Sequence, residues 1–257
     1  MKRDFPIIEF DAVSDNVIDA AANVDLSIAL PERCVISFFG DAVKTLIKEK
    51  NCQCIGNLVM ESFELPLYVY ENENGNNVVL LHGLGSGPYA AGQMEKLISL
   101  GSRYFMICGG CGVLEKNSMM GEIFIPISAV RDEGTSYHYI KPSREIKMDI
   151  KVKEQISSFL KSRRIPFKCV KTWTTDAMYR ETRSMIALRI NEGCQVVEME
   201  CASYLATAQY KDVALGQLLY AGDDLSGNQW DSRNWKSKND IRKCLLELTI
   251  DLCSVLC

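Results

Sequence analysis

Five apolar runs in this 257-residue chain stop abruptly at glycine or an acid, and that repeated punctuation constrains the fold more than any other feature. Cys34-Val35-Ile36-Ser37-Phe38-Phe39 stops at Gly40-Asp41, Val78-Val79-Leu80-Leu81 at His82-Gly83-Leu84-Gly85, and Tyr104 to Cys108 at Gly109-Gly110. Val196-Val197 stops at Glu198-Met199-Glu200, and Val213 to Ala221 at Gly222-Asp223. Runs this short and apolar predict buried strands. Helical spacing follows several of them: Ala90, Ala91, Met94, Leu97 and Ile98 after one, Ala202, Leu205 and Ala206 after another. Strands alternating with helices predict an α/β fold in a single domain over residues 1–257.

Further strands are expected near Ile55 to Phe63, Leu67 to Glu71, Glu122 to Val130 and Phe167 to Thr175. Asn72 to Asn77 is polar enough for a hairpin turn, and Arg131 to Tyr139 is expected to be a loop. Helices are expected over Ala42 to Lys50, Asp149 to Ser162, Thr182 to Glu192 and from Ser237 onward, the last with Ile241, Leu245, Leu248 and Leu252 on one stripe. Residues 1 to 33 show no clear element.

In an open α/β sheet, ligands bind at the carboxyl edge of the strands. Glu198 and Glu200 stand at such an edge, although a charged strand-to-helix loop with an N-capping acid would have the same sequence. Five junctions in one chain suggest a common rim. Glycine there lets backbone approach a ligand and frees N–H groups for an anion. The carboxylates suit a polyhydroxyl ligand or a developing cation, while Lys44 and the glycine loops suit an anion. That pairing fits sugar chemistry with an oxocarbenium-like state.

Composition excludes other classes. A net charge of -4 offers no nucleic-acid footprint, and no apolar run reaches membrane-spanning length. Met1-Lys2-Arg3-Asp4-Phe5-Pro6 meets acid and proline before any apolar region, so no signal peptide is expected and the 11 cysteines are expected to be reduced in the cytoplasm. With two histidines and no zinc-like cysteine spacing, neither a metal nor a cofactor is expected.

The sequence resembles the nucleoside phosphorylase family that contains uridine phosphorylase, the hexameric purine nucleoside phosphorylases and methylthioadenosine nucleosidase. The resemblance rests on Gly40-Asp41-Ala42-Val43-Lys44, His82-Gly83-Leu84-Gly85, Gly109-Gly110-Cys111-Gly112, Thr174-Thr175-Asp176-Ala177-Met178-Tyr179, Val197-Glu198-Met199-Glu200 and Gly222-Asp223, in the family's order from residue 35 to 250. It implies a three-layer α/β/α fold with a central mixed, partly barrel-like sheet, assembled as a dimer, trimer or hexamer. It implies cleavage of a nucleoside's N-glycosidic bond, with phosphate as co-substrate or with water. By position, Glu200 would bind the ribose hydroxyls, with Met199 packed on the sugar and Glu198 beside them. Gly40, Lys44, Gly109 and Gly110 would bind phosphate; Met178, Tyr179 and Arg183 would line the base pocket. Asp223, with Glu200 the second catalytic residue, matches the acid that protonates a purine.

The chain departs from the family on the phosphate side. Lys44, Ile107 and Gly110 stand where the family has arginine, arginine and Ser or Thr, and no arginine lies between Arg33 and Arg103. The family's N-terminal histidine is also missing. Arg131, Arg180 and Arg183 are candidates to supply the charge. The resemblance implies a phosphorylase of uridine or purine type, with a nucleosidase, favoured by the missing arginines, and a non-catalytic storage relative as alternatives.

Four features remain open. His82 would polarise a sugar hydroxyl or order its glycine loop, and His138 would face the base or belong to a surface loop. Cys108-Gly109-Gly110-Cys111 has dithiol spacing without a redox context. Trp230 to Trp235 would form a lid or a subunit contact.

Overall fold

The structure is a computed structural model describing residues 2–13, 16–71 and 75–257. In chain order the elements are β1 (Arg33–Ser37), α1 (Gly40–Glu49), β2 (Gln53–Val59), β3 (Glu64–Glu71), β4 (Asn77–His82), α2 (Gly87–Ser99), β5 (Tyr104–Val113) and β6 (Ile123–Asp132). There follow α3 (Ser136–Tyr139), β7 (Glu145–Lys147), α4 (Ile150–Ser162), β8 (Lys168–Thr175), α5 (Arg183–Asn191), β9 (Cys194–Glu198), α6 (Cys201–Lys211), β10 (Ala214–Asp224) and α7 (Asn239–Cys253). Only short 3-10 turns, Pro6–Ile8 and Ala20–Asn23, precede β1 among the described residues.

One mixed sheet carries the molecule, and half of it closes on itself. β5 pairs with β10, β10 with β6, β6 with β8, β8 with β9, and β9 returns to β5, so five strands form a barrel. β1 extends this sheet from β5, followed by β4, β3 and β2. The result is the expected three-layer α/β/α fold with a mixed, partly barrel-like sheet.

Apolar burial explains why these runs form strands. Val35, Ile36, Val79, Leu80, Leu81, Phe105, Met106 and Ile107 are fully buried, as expected for parallel strands covered on both faces. Each such side chain contributes about 1.5–3 kcal/mol. α1 buries a narrow stripe, Ala42, Val43 and Leu46, and packs with α7. α6 instead buries every residue from Cys201 to Ala208; a helix apolar on all sides belongs inside. α4 starts at Asp149, whose carboxylate accepts from the N–H groups of Lys151 (2.7 Å) and Val152 (3.4 Å).

Two of the expected strand ends are not ends. β5 continues through Gly109 to Gly112 as far as Val113, and β10 through Gly222 to Asp224. Beyond Cys108 the strand leaves β1 and meets β9, pairing Gly112 with Val197. A Cβ on Gly112 would lie 2.9 Å from Val197 Cγ1 and 2.5 Å from Leu225 Cδ1, and one on Gly222 3.1 Å from the Cys111 carbonyl oxygen. Glycine is there so that the barrel can close.

β7 was not legible in the sequence, and the expected 131–139 loop is the end of β6 followed by α3. β3 and β4 pair antiparallel up to Glu71 and Asn77, as the expected hairpin requires, while turn residues 72–74 lie outside the described residues. Among the described residues no helix is long and apolar enough to cross a membrane.

Gly112→Ala should cost about 1–3 kcal/mol, because Leu225 can rotate away but the buried, β-branched Val197 cannot. Urea unfolding should show a lower midpoint at an unchanged slope; an unshifted midpoint would refute this account of the closure.

Candidate active site

β9 delivers two carboxylates to the start of α6, and they do different work. Glu198 turns inward. Its Oε1 accepts from Thr174 Oγ1 (2.6 Å) and Thr172 Oγ1 (3.2 Å), and its Oε2 from the N–H groups of Glu200 (2.9 Å) and Cys201 (2.6 Å). Burial raises its pKa, and these four donors oppose the rise by favouring the ionised form. Both oxygens are committed to the protein.

Glu200 lies against the loop after β4, where its Oε1 accepts the Ser86 N–H at 2.7 Å. Gly85 lies alongside, where a Cβ would stand in ordinary contact, 4.0 Å from the same oxygen. Ser86 holds φ at 103°, a region L-residues rarely adopt. Such strain persists only where surrounding contacts enforce it. They do here, since a Cβ on Gly87 would lie 2.5 Å from Ser203 Oγ and 2.8 Å from Thr135 Oγ1. Burial, then the Glu198 charge, pushes the Glu200 carboxyl up to about 8. Met199, between the two acids, is partly exposed.

A polar network backs this wall. Glu133 accepts from Ser203 Oγ (2.8 Å), from the Ser136 N–H (2.9 Å) and from Ser136 Oγ, and Asp176 accepts the Gly134 N–H at 2.8 Å. Arg131 belongs here and not to an anion site. Its Nε donates to Ser136 Oγ and its Nη1 to the Lys141 carbonyl and Ser143 Oγ, each at 2.8 Å, with Tyr137 stacked at 4.2 Å. At 3 % exposure it is closed to a ligand, which corrects its candidacy as a phosphate or base contact.

The base-side candidates gather at the end of β10. Asp223 Oδ1 would lie 3.6 Å from a Cβ on Gly112, and Asp223 Oδ2 accepts the Trp230 indole N–H at 2.7 Å. The Trp230 loop is folded back on β10, because Asp224 and Asp231 exchange backbone hydrogen bonds and Arg233 pairs with the Asp224 carboxylate. Met178 is half exposed, Tyr179 almost wholly so, and Arg183 reaches the Gly227 carbonyl at 3.5 Å. Glu181 is the residue that sequence reasoning missed. Burial, and then the nearby Asp223 charge, lifts its carboxyl to about 7. The available signal was an acid directly before Thr182, the N-cap of α5, and two residues after the Thr174 to Tyr179 motif.

The anion-side candidates lie where β1, β4 and β5 run in register, with Ser37 between His82 and Cys108. Gly40 opens α1, and a Cβ on it would meet the His82 ring at 3.5 Å. Burial depresses the His82 pKa; the Ser37 carbonyl opposes this, and the cations Lys44 and Arg242 add to it. Gly109 packs under the Phe38 ring and Gly110 under the Tyr220 ring. Lys44 is exposed and forms no ion pair among the described residues.

Comparison with known proteins bears on the same span. The family model described as the phosphorylase superfamily matches residues 32–248. The guanosine phosphorylase of Halorubrum lacusprofundi is 23% identical over 194 residues, 73% of this chain and 80% of that protein. The purine nucleoside phosphorylase of Toxoplasma gondii, solved with immucillin-H, superposes with a TM-score of 0.73 at 15% identity, covering 90% of this chain and 92% of that one. The AMP nucleosidase of Bacteroides thetaiotaomicron gives 0.69 at 20% identity, over 88% and 90%.

The raised Glu200 carboxyl has a consequence for stability. Between pH 4.5 and about 8 the folded chain holds a proton that the unfolded chain has lost, so this residue makes stability fall as pH rises through that window. Glu200→Gln removes the effect. Its melting temperature, measured without ligand, should gain on the wild type from pH 5 to 8.5, and a constant difference would contradict the assignment.

Proposed function

The chain belongs to the phosphorylase superfamily, and from that premise we propose that it cleaves a purine (deoxy)ribonucleoside with phosphate, giving free base and pentose 1-phosphate. The observation that carries this is the division of labour between the two β9 acids. Glu198 is spent on holding the start of α6, and Glu200 is held by one amide beside an open glycine loop. The ribose 2′- and 3′-hydroxyls donate to Glu200, which gives up its proton as they bind and accepts them as a carboxylate. As the N-glycosidic bond breaks, C1′ becomes electron-poor and the bonding pair leaves with the base. A phosphate oxygen then forms the new bond to C1′ from the side of Gly40, Lys44 and Gly110. Met199 packs on the sugar, and Glu198 positions Glu200 without touching substrate.

A purine is favoured by the carboxyl pair on the base side. Burial, and then the Asp223 charge, raise Glu181 to about 7, so Glu181 carries a proton over part of the neutral range. Asp223, at the position of the family's purine-protonating acid, hands a proton to the leaving purine, and the neighbouring Glu181 holds the proton that resupplies it. The similarity to a guanosine phosphorylase over most of the chain agrees with this choice. Met178, Tyr179 and Arg183 line the outer part of the pocket. The protein works as a homo-oligomer in the cytoplasm and needs no cofactor beyond phosphate.

Hydrolysis is the second reading, and one observation favours it. Ile107 is fully buried and Gly110 has no side chain, so two family phosphate positions contribute no charge or hydroxyl.

The test is a panel of purine and pyrimidine nucleosides, with and without phosphate, followed by chromatography of free base. Purine release that requires phosphate is expected; release without it would establish hydrolysis, and no release from any nucleoside a non-catalytic relative. Glu200→Gln should lower turnover at least ~100-fold by removing a charged contact to the transition state. Turnover near the wild-type value would end the sugar-site assignment.

A further inference from the structure

The cation that the anion side lacks in sequence is supplied from the far end of the chain. Arg242, in the first turn of α7, lies with its guanidinium carbon 5.2 Å from the centre of the Phe39 ring and 5.8 Å from that of Trp235. Phe39 is the residue at which α1 begins, and it brings no side-chain cap to that helix. The first N–H groups of a helix have no partner inside it and carry its positive end. The guanidinium thus lies within cation–π reach of both rings, one of them carried by the N-cap residue of α1.

Its hydrogen bonding is incomplete. Nη1 reaches only the Lys236 carbonyl, at 3.4 Å, and Nε is buried with no partner among the described residues. No carboxylate pairs with it among those residues. A buried, unanswered donor on a permanent cation is costly and calls for an acceptor. The ring contacts also spare the ordering that a flexible side chain would need on binding.

A ring nitrogen and a second cation lie near, since both Lys44 and Arg242 act on the His82 charge. The His82 ring packs on Gly40, the first residue of α1, and Lys44 is one turn along that helix. Tyr220 forms the floor, with its ring 5.7 Å from that of Phe39 and its phenol oxygen 3.4 Å from where a Cβ on Gly110 would be. From His82 the loop runs through Gly83, Leu84 and Gly85 to Ser86, whose N–H holds Glu200. An anion at His82 and Gly40 therefore stands one short loop from the sugar acid.

We propose that Arg242, His82 and Lys44, set around the N-terminus of α1, bind the phosphate co-substrate, with Arg242 replacing the arginines absent at 44 and 107. This rests on the phosphorolytic reading above and assigns that site its principal cation. The guanidinium offers two parallel N–H donors to two phosphate oxygens, which the Lys44 ammonium cannot do. His82, kept neutral by burial and its cationic neighbours, spends its one N–H on the Ser37 carbonyl, so its other ring nitrogen accepts from a protonated phosphate oxygen.

Inorganic phosphate is titrated calorimetrically into the full-length, nucleoside-free protein and into Arg242→Met, which keeps the stem over Phe39 and Trp235. Arg242→Met should weaken phosphate binding at least ~10-fold, the loss of one charged hydrogen-bonding group. Arg242→Lys should fall between the two, and Lys44→Met should be less severe than Arg242→Met. Circular dichroism and melting establish that each variant is folded; if Arg242→Met is not, Arg242→Lys takes its place, with a several-fold loss expected. In turnover, the KM for phosphate should rise with Arg242→Met while the KM for nucleoside does not. Undiminished phosphate affinity in the folded variant overturns the proposal, as does a wild-type protein that binds no phosphate. Phosphate-dependent base release with Arg242→Met unaffected would remove this assignment alone. Release independent of phosphate would remove the phosphorolytic reading, whatever the calorimetry shows.

Discussion

The Glu198 carboxylate is the tie on which the rest of the structure depends. It joins three elements at one point: threonine hydroxyls from β8, its own strand β9, and the first amides of α6. A buried carboxylate is tolerated only with such compensation, since each hydrogen bond to a charged group contributes about 1.5–3 kcal/mol. The consequence reaches beyond stability. With α6 anchored there, Glu200 has one position, and the loop after β4 has a fixed acceptor for the Ser86 amide. The unusual backbone of Ser86 is then a result of that anchoring, reinforced where Gly87 presses on Ser203 and Thr135. The two acids of this stretch differ in what holds them: Glu198 accepts from the first amides of α6, and Glu200 accepts from the Ser86 amide.

Barrel closure sets where everything else can be. β5 serves two neighbours in succession, β1 along its first half and β9 at its far end, and so spans the site. Ser37, His82 and Cys108 are neighbours at one end of this span; Gly112, Val197 and Asp223 meet at the other. The glycines of this strand serve packing as much as any ligand, since a side chain on Gly112 would strike Val197 and Leu225.

Charge is distributed along the same span. Glu200, Asp176, Glu181 and Asp223 are all carboxyls, and burial raises the first three. Lys44, His82 and Arg242 stand at the α1 end. Acids are thus separated from cations along the span, an arrangement that costs folding energy where the acids are buried.

Much of this was legible in the sequence because burial on both faces leaves a local signature. Val35-Ile36, Val79-Leu80-Leu81 and Met106-Ile107 can only be inner strands, and the acids and glycines that follow them mark a rim whatever the topology. The three-residue β7 was not legible, because so short an edge strand has no period of its own. Arg131 was misplaced for a different reason: an arginine's surroundings are decided by Ser136, Ser143 and two carbonyls that no spacing rule connects to it. Glu181 and Arg242 gain their meaning only from residues more than 40 and more than 150 positions away, respectively. The amino-acid sequence alone determined the α/β class, the buried strands and the acid-bearing edge, since these follow from periodicity and local chemistry. Tertiary structure decided which acid is tied to the α6 amides and which to the Ser86 amide, that β5 and β10 run on to close a barrel, and that Arg242 reaches the Phe39 ring, because those depend on which chain segments meet in space.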